Sequence, residues 1–372
     1  LILVFGALVV AMVYALAITL LWRKERYLNR QHNTIIKDSL MTHPTPLLSA
    51  DRSEMSDDEY QRKADEAMRF SQTFQKFVPK QFVEHFAKHG SDALALGRAD
   101  EDNVAIMFCD IRGFTGLSEK MSPQELMNFL NSYFLRMNAP IHSNNGFIDK
   151  FIGDAIMALF DRPNGEDSDK ASDAIRAAMG LRKALSLYNE HRANSGYDPV
   201  DIGIGIHFGP VIIGTVGSDD RMDTTVIGDS VNIAQRLESL APIYNIDIVV
   251  SAQLIKTAAS TTELSQSDIA RGNFANRVID WVRVKGRTEP IELVEILCHL
   301  PKDMQIERLG QQDTILQIIG LRKSGQLNEA LRVAHEASLN HPLDPILKHH
   351  REALERLILD IPSPEWDGAL SL

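Results

Sequence analysis

Residues 146–160 read GFIDKFIGDAIMALF. Two apolar runs flank Gly153-Asp154, a pair suited to a tight reversal, so the stretch predicts a β-hairpin. Charged residues interrupt it, among them Lys150 inside the first run and Asp154 at the tip. Burying either one without a partner costs several kcal/mol. The simplest resolution is that they pair with each other; the other is that each waits for a partner from outside.

Working outward from the hairpin, strand and helix patterns alternate from about 103 to 298, as in an α/β or α+β domain. NVAIMFCDI (103–111) is a strand candidate. SPQELMNFLNSYFLRMNAPIH (122–142) is a helix with Ser122 as N-cap, Pro123 in the first turn and Glu125 at the capping-box position. Residues 167–192 predict a second long helix. VDIGIGIHFGPVIIGTVG (200–217) suggests two strands around a Gly-Pro turn, and DSVNIAQRLESLA (229–241) a helix capped by Asp229 or Ser230. VIDWVRVKGRTEPIELVEI (278–296) closes the set as a hairpin. The α/β or α+β domain is placed at 93–300. Beyond Pro301 the pattern is helical, and Gly325, Ala330, Ala337 and Pro342 carry the spacing of one tetratricopeptide repeat. Residues 301–372 are read as a small helical segment, a docking or dimer element whose function stays open.

The ends of the 372-residue chain differ from its middle. Residues 1–22 form an uncharged apolar run long enough to span a bilayer. Arg23, Lys24, Arg26 and Arg30 follow it, which by the positive-inside rule puts the rest of the chain in the cytoplasm. A buried core helix is the alternative. The chain opens on Leu1, inside the run, and further membrane or sensor sequence is expected before it. Residues 23–92 read as a polar linker followed by an amphipathic connector interrupted at Pro79, for which a plain solvated helix is the alternative. A net charge of −11 argues against a broad basic face for nucleic acid. The two cysteines, Cys109 and Cys298, rule out a disulfide scaffold and suit a reducing compartment.

Asp110 ends a buried strand and Asp154 sits at a hairpin tip. Each alone reads as a turn former or a ligand. As a pair at the rims of central strands they suit a shared site for a hard divalent cation, which takes carboxylate and phosphate oxygens. Asn232 and Arg236 are one helical turn apart and share a face, either an ordinary polar face or donors aimed at a phosphate. Thr225 opens a short apolar strand. The glycine-rich run 209–220 allows backbone N–H groups to approach an anion but lacks the GK[ST] ending of a P-loop.

Taken together, residues 103–297 resemble the catalytic domain of class III adenylyl and guanylyl cyclases. The matching stretches are VAIMFCDIRGFTGLSE, GFIDKFIGDAIMALF, GIGIHFGPVIIGTVG, TTVIGDSVNIAQRLES and VRVKGRTEPIELVEI. The resemblance implies an α+β, ferredoxin-like palm of βαββαβ topology with added strands, working as a head-to-tail homodimer. It puts Asp110, Asp154 and the Ile111 carbonyl on the metal contacts, for two Mg²⁺ per site with Mn²⁺ as a substitute. Lys150 and Thr225 fall on the purine-reading pair, Asn232 and Arg236 on the ribose and α-phosphate residues, and Lys285 on a residue holding the terminal phosphates. The implied reaction is in-line attack of the ribose 3′-oxygen of ATP on its α-phosphorus, giving 3′,5′-cyclic AMP and pyrophosphate. Guanylyl members usually carry Glu and Cys where this chain has Lys150 and Thr225. Many adenylyl members carry Asp where Thr225 stands, and Thr there resembles the subgroup stimulated by bicarbonate. By the same resemblance Lys150 and Asp154 serve opposite active sites across the dimer and are not each other's partners. The alternatives are a catalytically silent nucleotide-binding signalling module and a guanylyl cyclase; a diguanylate cyclase would need a GGDEF-like stretch, which is absent.

Overall fold

The computed structural model describes residues 62–63, 65–66, 68–69, 99–162, 164–218, 221–259, 274–360 and 366–372. Two compact units divide the chain: residues 1–98 with 215–224, and residues 99–214 with 225–372. In the first, the described residues between 62 and 69 are helical. The apolar run 1–22, residues 23–61 of the linker expected after it and residues 70–92 of the connector lie outside the described residues. Among the described residues no helix is long and apolar enough to cross a membrane.

The second unit is built on a mixed sheet. Its first half is β1 (Ala99–Ile111), α1 (Phe114–Ser118), α2 (Pro123–His142), β2 (Gly146–Ile152), β3 (Ala155–Phe160), α3 (Asp167–Asn194) and β4 (Ile202–Ser218). These strands lie in the order β2-β3-β1-β4, with β1 antiparallel to both neighbours. That is the βαββαβ arrangement expected from sequence, and the α+β class with it. Next come β5 (Arg221–Ile227), which pairs with β4, α4 (Asp229–Tyr244), β6 (Ile248–Ser251), α5 (Ala252–Ala258), β7 (Asn276–Arg283) and β8 (Ile291–Ile296). β6 adds to β4 in parallel, and the β7–β8 hairpin extends the sheet beyond it.

Local signals decide several elements. Ser122 Oγ accepts from the Glu125 N–H while the Glu125 carboxylate accepts from the Ser122 N–H, so α2 starts where its capping box places it. The hairpin reverses at Gly153, whose φ of +65° suits glycine. β1 is apolar on both faces, as a strand covered on both sides is: Ala105, Met107 and Cys109 enter a core with Tyr133 and Met137 of α2 and Leu181 of α3, while Val104, Ile106 and Phe108 are buried on the other face.

Two sequence expectations are corrected here. The 200–217 stretch is not two strands around a Gly-Pro turn but the single strand β4. β1 runs beside it from Ile111↔Ile202 to Ala99↔Gly214, and this long partner keeps Gly209-Pro210 extended. The missing N–H of Pro210 is tolerated, and its carbonyl accepts from Ser230 Oγ at 2.8 Å. Ser230 is therefore occupied, and α4 has Gly228 at its N-cap, with no side-chain cap from Asp229 or Ser230. Nor do the strand's glycines all await an anion. A Cβ on Gly205 would stand 2.0 Å from the Glu238 N, so this position lets α4 lie directly on the strand.

The chain beyond Pro301 forms α6 (Lys302–Gly310), α7 (Gln312–Lys323), α8 (Leu327–Asn340), α9 (Pro345–Leu359) and β9 (Leu370–Ser371). The helices expected there are present, but they share a core with the sheet. Ile315 and Ile318 of α7, Ala334 of α8 and Leu347 of α9 pack with Ile279 and Val282 of β7 and Leu237 of α4. Fully buried Arg277 of β7 crosses this boundary to Asp344, and on its own side pairs with Glu295 at 2.7 Å. β9 joins the sheet, parallel to β7.

Candidate functional site

β1 and the β2–β3 turn end side by side. The Ile111 N–H stands 3.0 Å from Asp110 Oδ1 and 3.3 Å from Asp154 Oδ2, so one backbone donor serves two carboxylates. The chain just beyond is braced: Arg112 pairs with Asp201 at 3.2 Å and donates to the Ile246 carbonyl, while Arg182 pairs with Asp201 and Asp247. Burial, then the adjoining Asp110 carboxyl, push the Asp154 pKa up to about 7. Two like charges so close hold a proton between them unless a cation replaces it.

A third carboxylate lies nearby that sequence reasoning did not select. Glu238 of α4 is on the helix face turned to the sheet, with its Oε1 3.0 Å from where a Gly203 Cβ would stand. Burial, then Asp110, raise its pKa to about 7. Its signal was its position two residues after Arg236, which turns it to a different face of the helix. No group of three or more His, Cys, Asp or Glu able to hold a metal occurs among the described residues. The Asp110–Asp154 pair nevertheless fits a divalent cation that keeps water and phosphate as its other ligands, since both carboxylates lie within reach of one backbone N–H.

Lys150 answers the opening question in part. Its ammonium donates to Thr225 Oγ1 at 3.1 Å and lies 3.4 Å from Asp149 Oδ2, rather than pairing with Asp154. Thr225 thus comes to the β2 lysine from 75 residues further along the chain. On α4, Asn232 is exposed and Arg236 half-buried. An Arg236 guanidinium nitrogen lies 3.6 Å from where a Gly286 Cβ would stand, in the β7–β8 turn that also carries exposed Lys285. The single chain therefore forms three groupings: the carboxylate pair at Ile111, the Lys150–Thr225 pair, and Arg236 beside the Lys285 turn. Among the described residues no hydrogen bond or ion pair joins the carboxylates to Lys150, Arg236 or Lys285.

Comparison with known proteins bears on these groupings. Residues 97–299, more than half the chain, match the family described as adenylate and guanylate cyclase catalytic domain. An adenylate cyclase of Anabaena cylindrica is 39% identical over 229 residues, covering 60% of this chain and 42% of that protein. The terminal-differentiation specific adenylate cyclase of Dictyostelium discoideum is 34% identical over 234 residues, 63% of this chain and 10% of that protein. The chain spans less than half the length of either relative. The structure of a bacterial light-regulated adenylyl cyclase superposes with a TM-score of 0.54 at 24% identity, covering 70% of this chain and 71% of that one, a likeness of fold.

Proposed function

The chain belongs to the adenylate and guanylate cyclase catalytic domain family, and on that premise we propose that it is an adenylate cyclase, a phosphorus–oxygen lyase forming 3′,5′-cyclic AMP and pyrophosphate from ATP. The observation that carries the choice of substrate is the contact between Lys150 and Thr225. Lysine only donates, and a threonine hydroxyl both donates and accepts. Adenine offers an acceptor at N1 and a donor at its 6-amino group, which matches an ammonium beside a hydroxyl. Guanine reverses the polarity at N1 and carries an acceptor at O6.

The remaining roles are those that the family resemblance implies. Asn232 orients the ribose, and the permanently charged fork of Arg236 stabilises charge developing at the α-phosphate. Lys285 holds the terminal phosphates. Asp110 and Asp154, with the Ile111 carbonyl, would hold two Mg²⁺, or Mn²⁺ in their place. When bound, these ions supply Lewis-acid stabilisation and lower the pKa of the attacking hydroxyl. Little covalent work falls to the protein, so its residues act by positioning and charge.

The separation of the groupings in one chain supports a homodimer, in which the carboxylates of one subunit face the base and phosphate residues of its partner. Exposed apolar side chains beside both groupings support the same reading: Phe151 and Ile152 at the β2–β3 turn, and Ile227 just past Thr225. For residues 1–22 we keep the reading of a membrane anchor, with the catalytic unit on the cytoplasmic side of the plasma or inner membrane.

Two experiments test the substrate and its regulation. Offered ATP and GTP in competition, the protein is expected to form cyclic AMP. The paired change Lys150→Glu and Thr225→Cys is expected to shift that preference toward GTP by about tenfold or more, since both base contacts reverse polarity. A preference that stays with ATP would sink the assigned base contacts. Bicarbonate is expected to raise turnover at fixed pH and Mg²⁺; a flat titration removes that regulation and leaves the activity assignment standing.

A further inference from the structure

The turn that carries Lys285 is held from outside its own hairpin. The Lys285 N–H donates to the Leu372 carbonyl, and the Leu372 N–H donates to the Arg283 carbonyl, both at 3.1 Å. Between these bonds β9 lies along β7, with Val282 beside Leu370 and Arg283 beside Ser371. Arg283 then closes the turn. Its Nε donates to the Thr288 carbonyl at 2.9 Å, and its guanidinium donates to Asp367 at 2.6 Å. Inside the turn Gly286 has a φ of +86°, and the Arg287 N–H bonds the Val284 carbonyl.

The strap is itself anchored. Fully buried Arg322 of α7 donates to the Gly368 carbonyl at 2.7 Å and to the Trp281 carbonyl at 3.0 Å. A Cβ on Gly368 would come within 2.5 Å of the Lys323 Cα, so only glycine lets the strap lie this close to α7. Arg322 also pairs with Asp280, which accepts from the Tyr244 hydroxyl at 2.7 Å. Tyr244 ends α4, the helix of Asn232 and Arg236. One connected set of bonds thus joins residues 366–372 both to the Lys285 turn and to the Arg236 helix.

We infer that residues 366–372 are a positioning element for the phosphate end of the nucleotide, with Asp367 acting through Arg283 to set where Lys285 stands. The inference rests on the reading of Lys285 as the residue that holds the terminal phosphates. A hairpin turn unsupported at its flank opens readily, and an ammonium on a mobile turn loses freedom when it binds. Two backbone bonds and the Arg283 clamp remove that freedom before ATP arrives. Lys285 meets the terminal phosphates already in the bound ground state, so the effect is expected mainly in KM; these phosphates leave as pyrophosphate, and kcat is expected to fall only slightly. A strap serving only to cover a sheet edge would not act on one end of the substrate.

The test uses the full chain with Mg²⁺, and ATP, inorganic tripolyphosphate and adenosine as probes. Asp367 is partly exposed, so Asp367→Ala is expected to fold, with Tm as the check. Its KM for ATP is expected to rise about two- to fivefold with kcat within about twofold. Inhibition by tripolyphosphate should weaken by the same factor, inhibition by adenosine should not change, and Asp367→Glu should restore both. In a Lys285→Ala background Asp367→Ala should add nothing, because the two act on one interaction. The inference is overturned by a folded Asp367→Ala variant with unchanged KM, by adenosine inhibition that moves with it, or by an undiminished effect without the lysine. Failure of the underlying activity assignment looks different: the unmodified protein itself would form no cyclic AMP.

Discussion

Asp110→Ala and Asp154→Ala are each expected to lower cyclic AMP formation by about 10³-fold or more, because each removes a charged ligand from a site built on two. The two carboxylates meet at one backbone N–H, and burial, then the closeness of Asp110, push the Asp154 pKa up to about 7. Such an arrangement is costly without cations. Asp154→Asn should therefore be as inactive as the alanine variant, yet no less stable than the unmodified protein in chelator. In the unmodified protein, Mg²⁺ or Mn²⁺ should raise Tm, and in Asp154→Asn it should raise it less. Thermal melts with and without metal, beside a cyclic AMP assay, read both. An Asp154→Asn protein that still turns over ATP would remove the carboxylate pair from the reaction.

The second large effect is a rescue. Arg236→Ala is expected to cost about 10²–10³ in kcat while sparing the fold, as loss of one preorganised donor does elsewhere. Arg236 and Asp154 belong to separate groupings in the chain, and in the proposed homodimer each site takes one from either subunit. Mixing Asp154→Ala chains with Arg236→Ala chains then leaves each heterodimer one site with both residues intact. Random pairing makes half the dimers mixed, so activity should return to about a quarter of the unmodified level. The measurement is a cyclic AMP assay on the re-equilibrated mixture, with heterodimers quantified by two affinity tags. Heterodimers that form and stay as inactive as their parents would mean that each site is completed within a single chain. The experiment needs subunit exchange, which the proposed homodimer would allow through a surface that includes exposed Phe151, Ile152 and Ile227.

Much of the fold's local grammar was legible before any coordinates. A capping box acts over three residues, so Ser122 and Glu125 announce α2 whatever lies around it. A hairpin needs two apolar runs and a permissive reversal, and Gly153 supplies the latter. The candidate site residues were legible for a different reason: their spacing in several linked motifs resembles a known family, and physical patterning alone left each with an ordinary alternative. The misreadings came where a remote partner outweighed a local cue. Gly209-Pro210 is a turn signal by itself, but thirteen residues of β1 run alongside and hold it as strand. Ser230 is a good cap by type, but its hydroxyl goes to the Pro210 carbonyl.

Sequence by itself determined which charges this protein places in apolar surroundings, because the alternation of strands and the heptad-like faces of helices are written in neighbouring residues. It thereby selected Asp110, Lys150 and Asp154 for attention. Only the tertiary structure decided who meets whom: Lys150 with Thr225, Arg277 with Asp344, Leu372 with the backbone of Lys285. The physical reason is that a backbone donor or a long side chain carries no mark of its partner. Which acceptor it finds depends on sheet order and on helices packed from far along the chain, and these are settled by the collective burial of a core rather than by any local stretch.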